Sequence, residues 1–202
     1  IYASCVLARA PLLKPQPEDW EVEYQFWAQK FREQKLQSLP ADWQKAKKAA
    51  TEDSETSTQE GVTRWQPLSR ETDADRAGDV KSLMRCLEHY LYLIVRSQSG
   101  EWSFPSTENL EGETIRQTGE RALAQCVSAA DAFFIANWPI AHVPFTTPTP
   151  RVEYYMKAQL LSGEISLLPG TDFVDHAWIG RHELDRYFAK GALLETLEAA
   201  LV

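Results

Sequence analysis

Residues 104–128, FPSTENLEGETIRQTGERALAQCVS, gather the side chains best spaced for chemistry. Gly112-Glu113 closes a tight turn that runs directly into a helix. Thr114 and Gln117 fit the reciprocal capping pattern, in which a Thr side chain caps the helix and a Gln reaches back. Glu113 therefore stands at the positive end of that helix, where a carboxylate is stabilised without any ligand. A divalent-cation site for phosphate chemistry needs several hard, charged oxygens converging on one point. Glu113 alone does not make one, and Glu108 and Glu111 lie in the preceding loop. Arg121 is expected to form a structural ion pair with Glu113 or Glu120. Ile115, Ala122 and Leu123 are expected to face the core, while Arg116, Glu120 and Arg121 supply the polar side.

The remaining reactive types are scattered. His176 and His182 flank a strand-to-helix junction with no third metal ligand at a suitable spacing, and His89 and His142 are isolated. Cys5, Cys86 and Cys126 form no Cys-x-x-Cys pair or Cys/His quartet, and read as buried, reduced thiols. No Ser/His/Asp order, Gly-rich phosphate loop or RNA-binding aromatic motif stands out. No catalytic residue, cofactor or metal site is therefore expected.

These residues sit in a chain of 202 residues with 44% hydrophobic and 25% charged content, the balance of an ordinary globular protein. Its length allows one domain with a good core and an appendage. No stretch approaches the ~20 apolar residues of a membrane-spanning helix. The sequence opens at Ile1 without Met or a signal-like stretch, so any targeting peptide is expected to have been removed. A net charge of −8 argues against wrapping nucleic acid, although it leaves room for a local basic contact.

Tyr2–Leu7 reads as a strand, followed by an extended Pro-rich connector. From Trp20 to Gln37 the aromatics Trp20, Tyr24, Trp27 and Phe31 recur at helical spacing, as either a partner-docking arm or a helix packed on its own domain. Ala41–Ala50 reads as a short basic helix whose Lys45, Lys47 and Lys48 are either a plain solvated face or the best candidates for a phosphate backbone. Thr51–Gly61 is an acidic linker. Lys81–Cys86 reads as a short helical lead-in to the strand Tyr90–Val95. Strand material follows at Ala132–Ala136, Ile140–Val143, Val152–Leu161 and Phe173–Ile179. Val152–Leu161 is apolar enough for both faces to be partly buried. Leu184, Tyr187 and Phe188 should pin a late helix, with Lys190-Gly191 as its C-cap and Leu193–Leu201 as a last amphipathic helix.

The Gly112-Glu113 turn, Arg121 on the helix and the preceding Phe104-Pro105 together resemble the Nudix box. That resemblance implies three metal-binding acids at Ala122, Gln125 and Cys126, and a methyl, an amide and a thiol do not replace them. It also puts Thr107 at the box's first Gly and Ser128 at its last. The wider pattern adds Arg9-Ala10-Pro11, the aromatic arm, Asp79-Val-Lys-Ser-Leu before Leu91-Tyr92-Leu93, and His176-Ala-Trp178 with Glu183-Leu184. It resembles the mitochondrial large-subunit ribosomal protein 46 family, in which a Nudix-like domain has become a ribosomal component.

The implied fold is α/β (α+β): a Nudix-like mixed β-sheet flanked by helices, with an N-terminal helical arm. Residues 1–16 would form the strand and connector, 17–76 the arm and linker, and 77–202 the Nudix-like domain. The implied role is structural and non-enzymatic, in the large ribosomal subunit of the mitochondrial matrix. It would lie at the central protuberance among other mitochondrial large-subunit proteins, with limited rRNA contact. Gly112, Glu113 and Arg121 would be vestiges of the box. Trp20, Tyr24, Trp27, Phe31, Lys45, Lys47 and Lys48 would be the partner-binding candidates. The alternative is a nucleotide-binding module or residual Nudix hydrolase acting on nucleoside diphosphate derivatives.

Overall fold

Strand β1 (Tyr2–Arg9, YASCVLAR) is apolar at most positions and buried at every residue after Tyr2, which only a central strand covered on both faces can satisfy. The computed structural model, which describes residues 1–35, 69–128, 131–146, 150–163 and 165–201, places it there. On one side β1 pairs antiparallel with β2 (Leu91–Ser97), and on the other it runs parallel to β8 (Arg151–Ser162), with Tyr2 opposite Glu153 and Ala8 opposite Gln159. The main path of the sheet ends in β10 (Phe173–Gly180) beyond β2 and β6 (Asp131–Phe134) beyond β8. Short strands β3 (Trp102–Ser103), β4 (Ser106–Glu108) and β7 (Ala141–Phe145) pair with β2, β1 and β8. A separate pair joins β5 (Val127–Ser128) to β9 (Ser166–Leu167).

The period-2 alternation of strands divides the core into two layers. Val6, Ala8, Tyr92, Ile94, Tyr155, Ala177 and Ile179 belong to one cluster. Leu184 and Phe188, at and just after α4 (Leu184–Tyr187), and Leu194 and Leu197 of α5 (Ala192–Ala200) join it. Cys5, Leu7, Leu91, Leu93, Met156, Ala158 and Trp178 belong to the other, with Leu123 and Cys126 of α3 (Ile115–Cys126). This is the mixed sheet flanked by helices that the sequence implies, and β8 is buried in part on both faces.

The described residues form two units, Ile1–Lys14 with Arg70–Val202 and Pro15–Ser69. The first takes in α2 (Asp73–Ala77), capped reciprocally by Thr72 and Asp75. The second contains α1 (Asp19–Lys35). Among the described residues no helix is long and apolar enough to cross a membrane. The expected basic helix 41–50 with Lys45, Lys47 and Lys48, and the linker 51–61, lie outside the described residues.

Two expectations are corrected. Lys81–Cys86 is a run of turns, not a helix. Its last residue takes φ 43°, and its N–H donates to Asp75 Oδ1 at 2.8 Å, a bond that leads the chain away from helical pairing. Gly191 does not close the late helix: α4 ends at Tyr187, and Gly191 precedes α5, where its carbonyl accepts from Glu195 N.

Three buried charges lock the loop before β2 to the end of β10. Arg9, 6% exposed, donates to the carbonyls of Ala10, Cys86 and His89 at 3.1–3.2 Å and to that of Arg85. Arg85 donates to Trp178 O at 2.8 Å and pairs with Glu183 at 2.7 Å, and Glu183 also accepts Gly180 N–H at 2.9 Å. Burial opposes the Glu183 charge, but Arg85 and the Gly180 amide hold its carboxyl below the usual range. Arg85→Ala strands a buried carboxylate and should cost about 3–5 kcal/mol in urea unfolding. Replacing Arg85 and Glu183 together by Met and Leu should cost far less, and equal losses would refute a charge-pairing role.

Candidate functional site

The box turn is built from local bonds. Gly112 takes φ 86°, a left-handed conformation that suits glycine, and Glu113 N–H donates to Leu110 O at 3.1 Å. Thr114 then caps α3: its N–H donates to Gln117 Oε1 at 2.9 Å, and Gln117 N–H donates to Thr114 Oγ1 at 3.3 Å. The capping box read from the sequence is present.

Of the two partners open to Arg121, it takes Glu113. The guanidinium grips both carboxylate oxygens, Nε to Oε1 and Nη2 to Oε2, each at 2.9 Å. Glu120 pairs instead with Arg116 at 2.8 Å, and Arg116 reaches on to Asn137 Oδ1 at 2.7 Å. Arg121 also donates to Thr107 Oγ1 at 3.1 Å and Glu108 O at 2.6 Å, tying the loop to the helix. Thr118 and Leu110 N–H complete the shell of Glu113, at 3.1 and 3.4 Å. A carboxylate so enclosed has few lone pairs left for a cation.

The three helix positions implied by the box point in two directions. Ala122 and Cys126 are buried against the sheet, while Gln125 is exposed. Burial pushes the Cys126 thiol up to about 12, so it stays protonated and is a poor metal ligand at neutral pH. Among the described residues no group of three or more His, Cys, Asp or Glu is placed to hold a metal ion. The site as built is a clamp that fixes a turn. Thr118 and Asn109 also belong to it, with no signal in the residue pattern: Thr118 is fully buried and Asn109 Nδ2 donates to its Oγ1 at 2.7 Å.

His176 and His182 do not meet: the ring of His182 lies against His89 instead, centroids 5.8 Å apart. In its own unit, α1 carries the expected aromatic stripe without a single buried residue. Trp20 and Trp27 are 63% and 57% exposed. Tyr24, Trp27 and Phe31 stack in sequence at 6.0 and 5.4 Å, and Lys35 Nζ lies 5.6 Å from the Phe31 ring. Val22 and Phe26, off that stripe, are exposed too.

The clamp has a measurable signature. The Arg121 fork holds the Glu113 carboxyl at about 2 against an ordinary 4.5, with Thr118 and the Leu110 amide adding to it and burial opposing. Because the folded-state value is depressed, the stabilisation is complete above about 4.5 and is lost as pH falls towards 2. An NMR titration of the Glu113 side chain should give a midpoint near 2, and Arg121→Gln should return it towards 4.5. A midpoint near 4.5 in the unaltered chain would show the clamp open in solution.

A family model described as 39S mitochondrial ribosomal protein L46 matches residues 1–63. Large ribosomal subunit protein mL46 of Bos taurus is 34% identical over 148 residues, covering 67% of this chain and 53% of its own length. The mL46 protein of Neurospora crassa is 26% identical over 136 residues, 58% of this chain and 37% of its own. Among solved structures, an Ap4A hydrolase of C. elegans overlaps 55% of this chain and 84% of its own at 13% identity and TM-score 0.46. The chain spans about half the length of the mammalian relatives it matches. The N-terminal match and the related sequences identify the chain as a member of the mitochondrial large-subunit ribosomal protein 46 family.

Proposed function

We propose that the chain is a structural constituent of the mitochondrial large ribosomal subunit and is not an enzyme. The relatives named above carry this reading, since each is a large-subunit protein by name. The Glu113–Arg121 clamp supports its non-enzymatic half: the acid a Nudix hydrolase would direct at a cation is spent on an internal ion pair. The net charge of −8 favours protein neighbours over bare rRNA, with rRNA contact limited to a local basic patch such as Lys45, Lys47 and Lys48. Placement at the central protuberance in the mitochondrial matrix rests on the family resemblance alone.

In this reading the unit Ile1–Lys14 with Arg70–Val202 is the folded body, a boundary somewhat earlier than 77 and taking in the first strand, and the unit Pro15–Ser69 is the appendage that docks. Trp20, Tyr24, Trp27 and Phe31 are its anchors, because exposed aromatics of this kind dominate binding energy when a partner covers them. The tagged chain, expressed in mitochondria, should co-sediment with the large subunit through a high-salt wash. Trp27→Ala combined with Phe31→Ala should lower the bound fraction several-fold while leaving the thermal midpoint unchanged. Recovery only in the low-mass soluble fraction, or Mg²⁺-dependent cleavage of a nucleoside diphosphate derivative that Glu113→Gln abolishes, would overturn the proposal.

A further inference from the structure

A cavity of about 440 Å³ opens between the loop before β2 and the end of β10, lined by His89, Tyr90, Arg181, His182 and Glu198. Its volume falls in the roughly 300–1,000 Å³ range of small-ligand sites. It is separate from the box turn. Tyr2, at one end of β1, pairs with Glu108 beside that turn, while Arg9, at the other end, holds the carbonyl of His89. At about 3.3 Å per residue, the two ends of β1 lie roughly 23 Å apart.

The walls of the cavity are fixed before any ligand arrives. Arg9 ties the His89 carbonyl in place, and the turn carrying Arg181 and His182 is fastened through Glu183 to Arg85. Tyr90 stacks on Tyr92 at 6.4 Å, and Lys157 Nζ lies 5.4 Å from the Tyr90 ring. The lining therefore offers three flat rings, one cation and one anion. Among the described residues, the side chains of Arg181 and Glu198 have no hydrogen-bond or ion-pair partner.

This combination narrows the ligand. A simple anion would meet Glu198, and a simple cation would meet Arg181. Neither would use the rings. A nucleotide satisfies all three: its base stacks on imidazole and phenol faces, and its phosphate takes the guanidinium. The carboxylate then selects the base. Guanine alone among the four RNA bases presents two adjacent donors, N1–H and the exocyclic amine, to which a carboxylate can accept side by side. We infer that the cavity binds a guanine ribonucleotide, free or in an unpaired strand, with Glu198 reading the base, Arg181 holding the phosphate and His89, His182 and Tyr90 giving the stacking surface.

Calorimetry on the intact chain tests this with GMP, IMP, AMP and guanosine, and with RNA pentamers bearing one central guanine or adenine. GMP and the guanine pentamer should bind about tenfold more tightly than their adenine counterparts, with IMP, which lacks the exocyclic amine, in between. Glu198→Gln should erase the preference at an unchanged thermal midpoint. Arg181→Ala should weaken GMP and leave guanosine alone. Ring signals of His89 and His182 should shift on GMP addition. A tighter pentamer identifies a strand as the source, and tighter GMP a free nucleotide; both uphold the site. Equal affinity for all bases, an inert Glu198→Gln, or shifts confined to Glu113–Arg121 would overturn it.

Discussion

The body of this protein depends on the placement of β1 at the middle of the sheet. An eight-residue segment buried on both faces can be stable only if two neighbouring strands satisfy its backbone and two helical layers cover its side chains. The antiparallel partner β2 and the parallel partner β8 do the first. The box helix α3 covers one face, and α4 and α5 cover the other. The two buried polar side chains of β1 are tied in: Ser4 Oγ donates to the buried Glu153 carboxylate, and the Arg9 Nη atoms cap the loop before β2, while its Nε is left without a partner.

The same framework holds the box turn in shape. The loop before α3 is drawn in by Arg121, which bonds Thr107, Glu108 and Glu113 at once. An ion pair with bidentate geometry cross-links the turn to the helix. Cys126 packs among core residues of β1 and β8, and Ala122 is buried on the same helix. Shape is kept by packing and by one guanidinium.

Much of this was legible because it is local. The Thr114–Gln117 cap, the aromatic and aliphatic run Tyr90–Val95 and the double-sided burial of Val152–Leu161 follow from residue type and period. The unread parts depend on residues distant in sequence. Nothing between Lys81 and Cys86 forbids a helix; Asp75 and Arg9 prevent it by taking the amide and carbonyls that a helix would use. The choice of Glu113 over Glu120 turned on Arg116 reaching Asn137, which holds Glu120 on the other side. The nearness of His89 to His182 is set by strand register, Gly180 lying opposite Leu91, and no spacing in the sequence reveals it.

The parallel pairing of β1 with β8 has a consequence for biogenesis. The Ser4–Glu153 bond joins residues 149 positions apart. During vectorial synthesis at roughly 5–20 residues per second, the central strand therefore emerges on the order of ten seconds before its mate. The edge that meets β2 and β4 can close once residues 91–108 are made, but the edge that meets β8 stays open until residues 151–162 follow, leaving an apolar strand exposed to misplaced pairing.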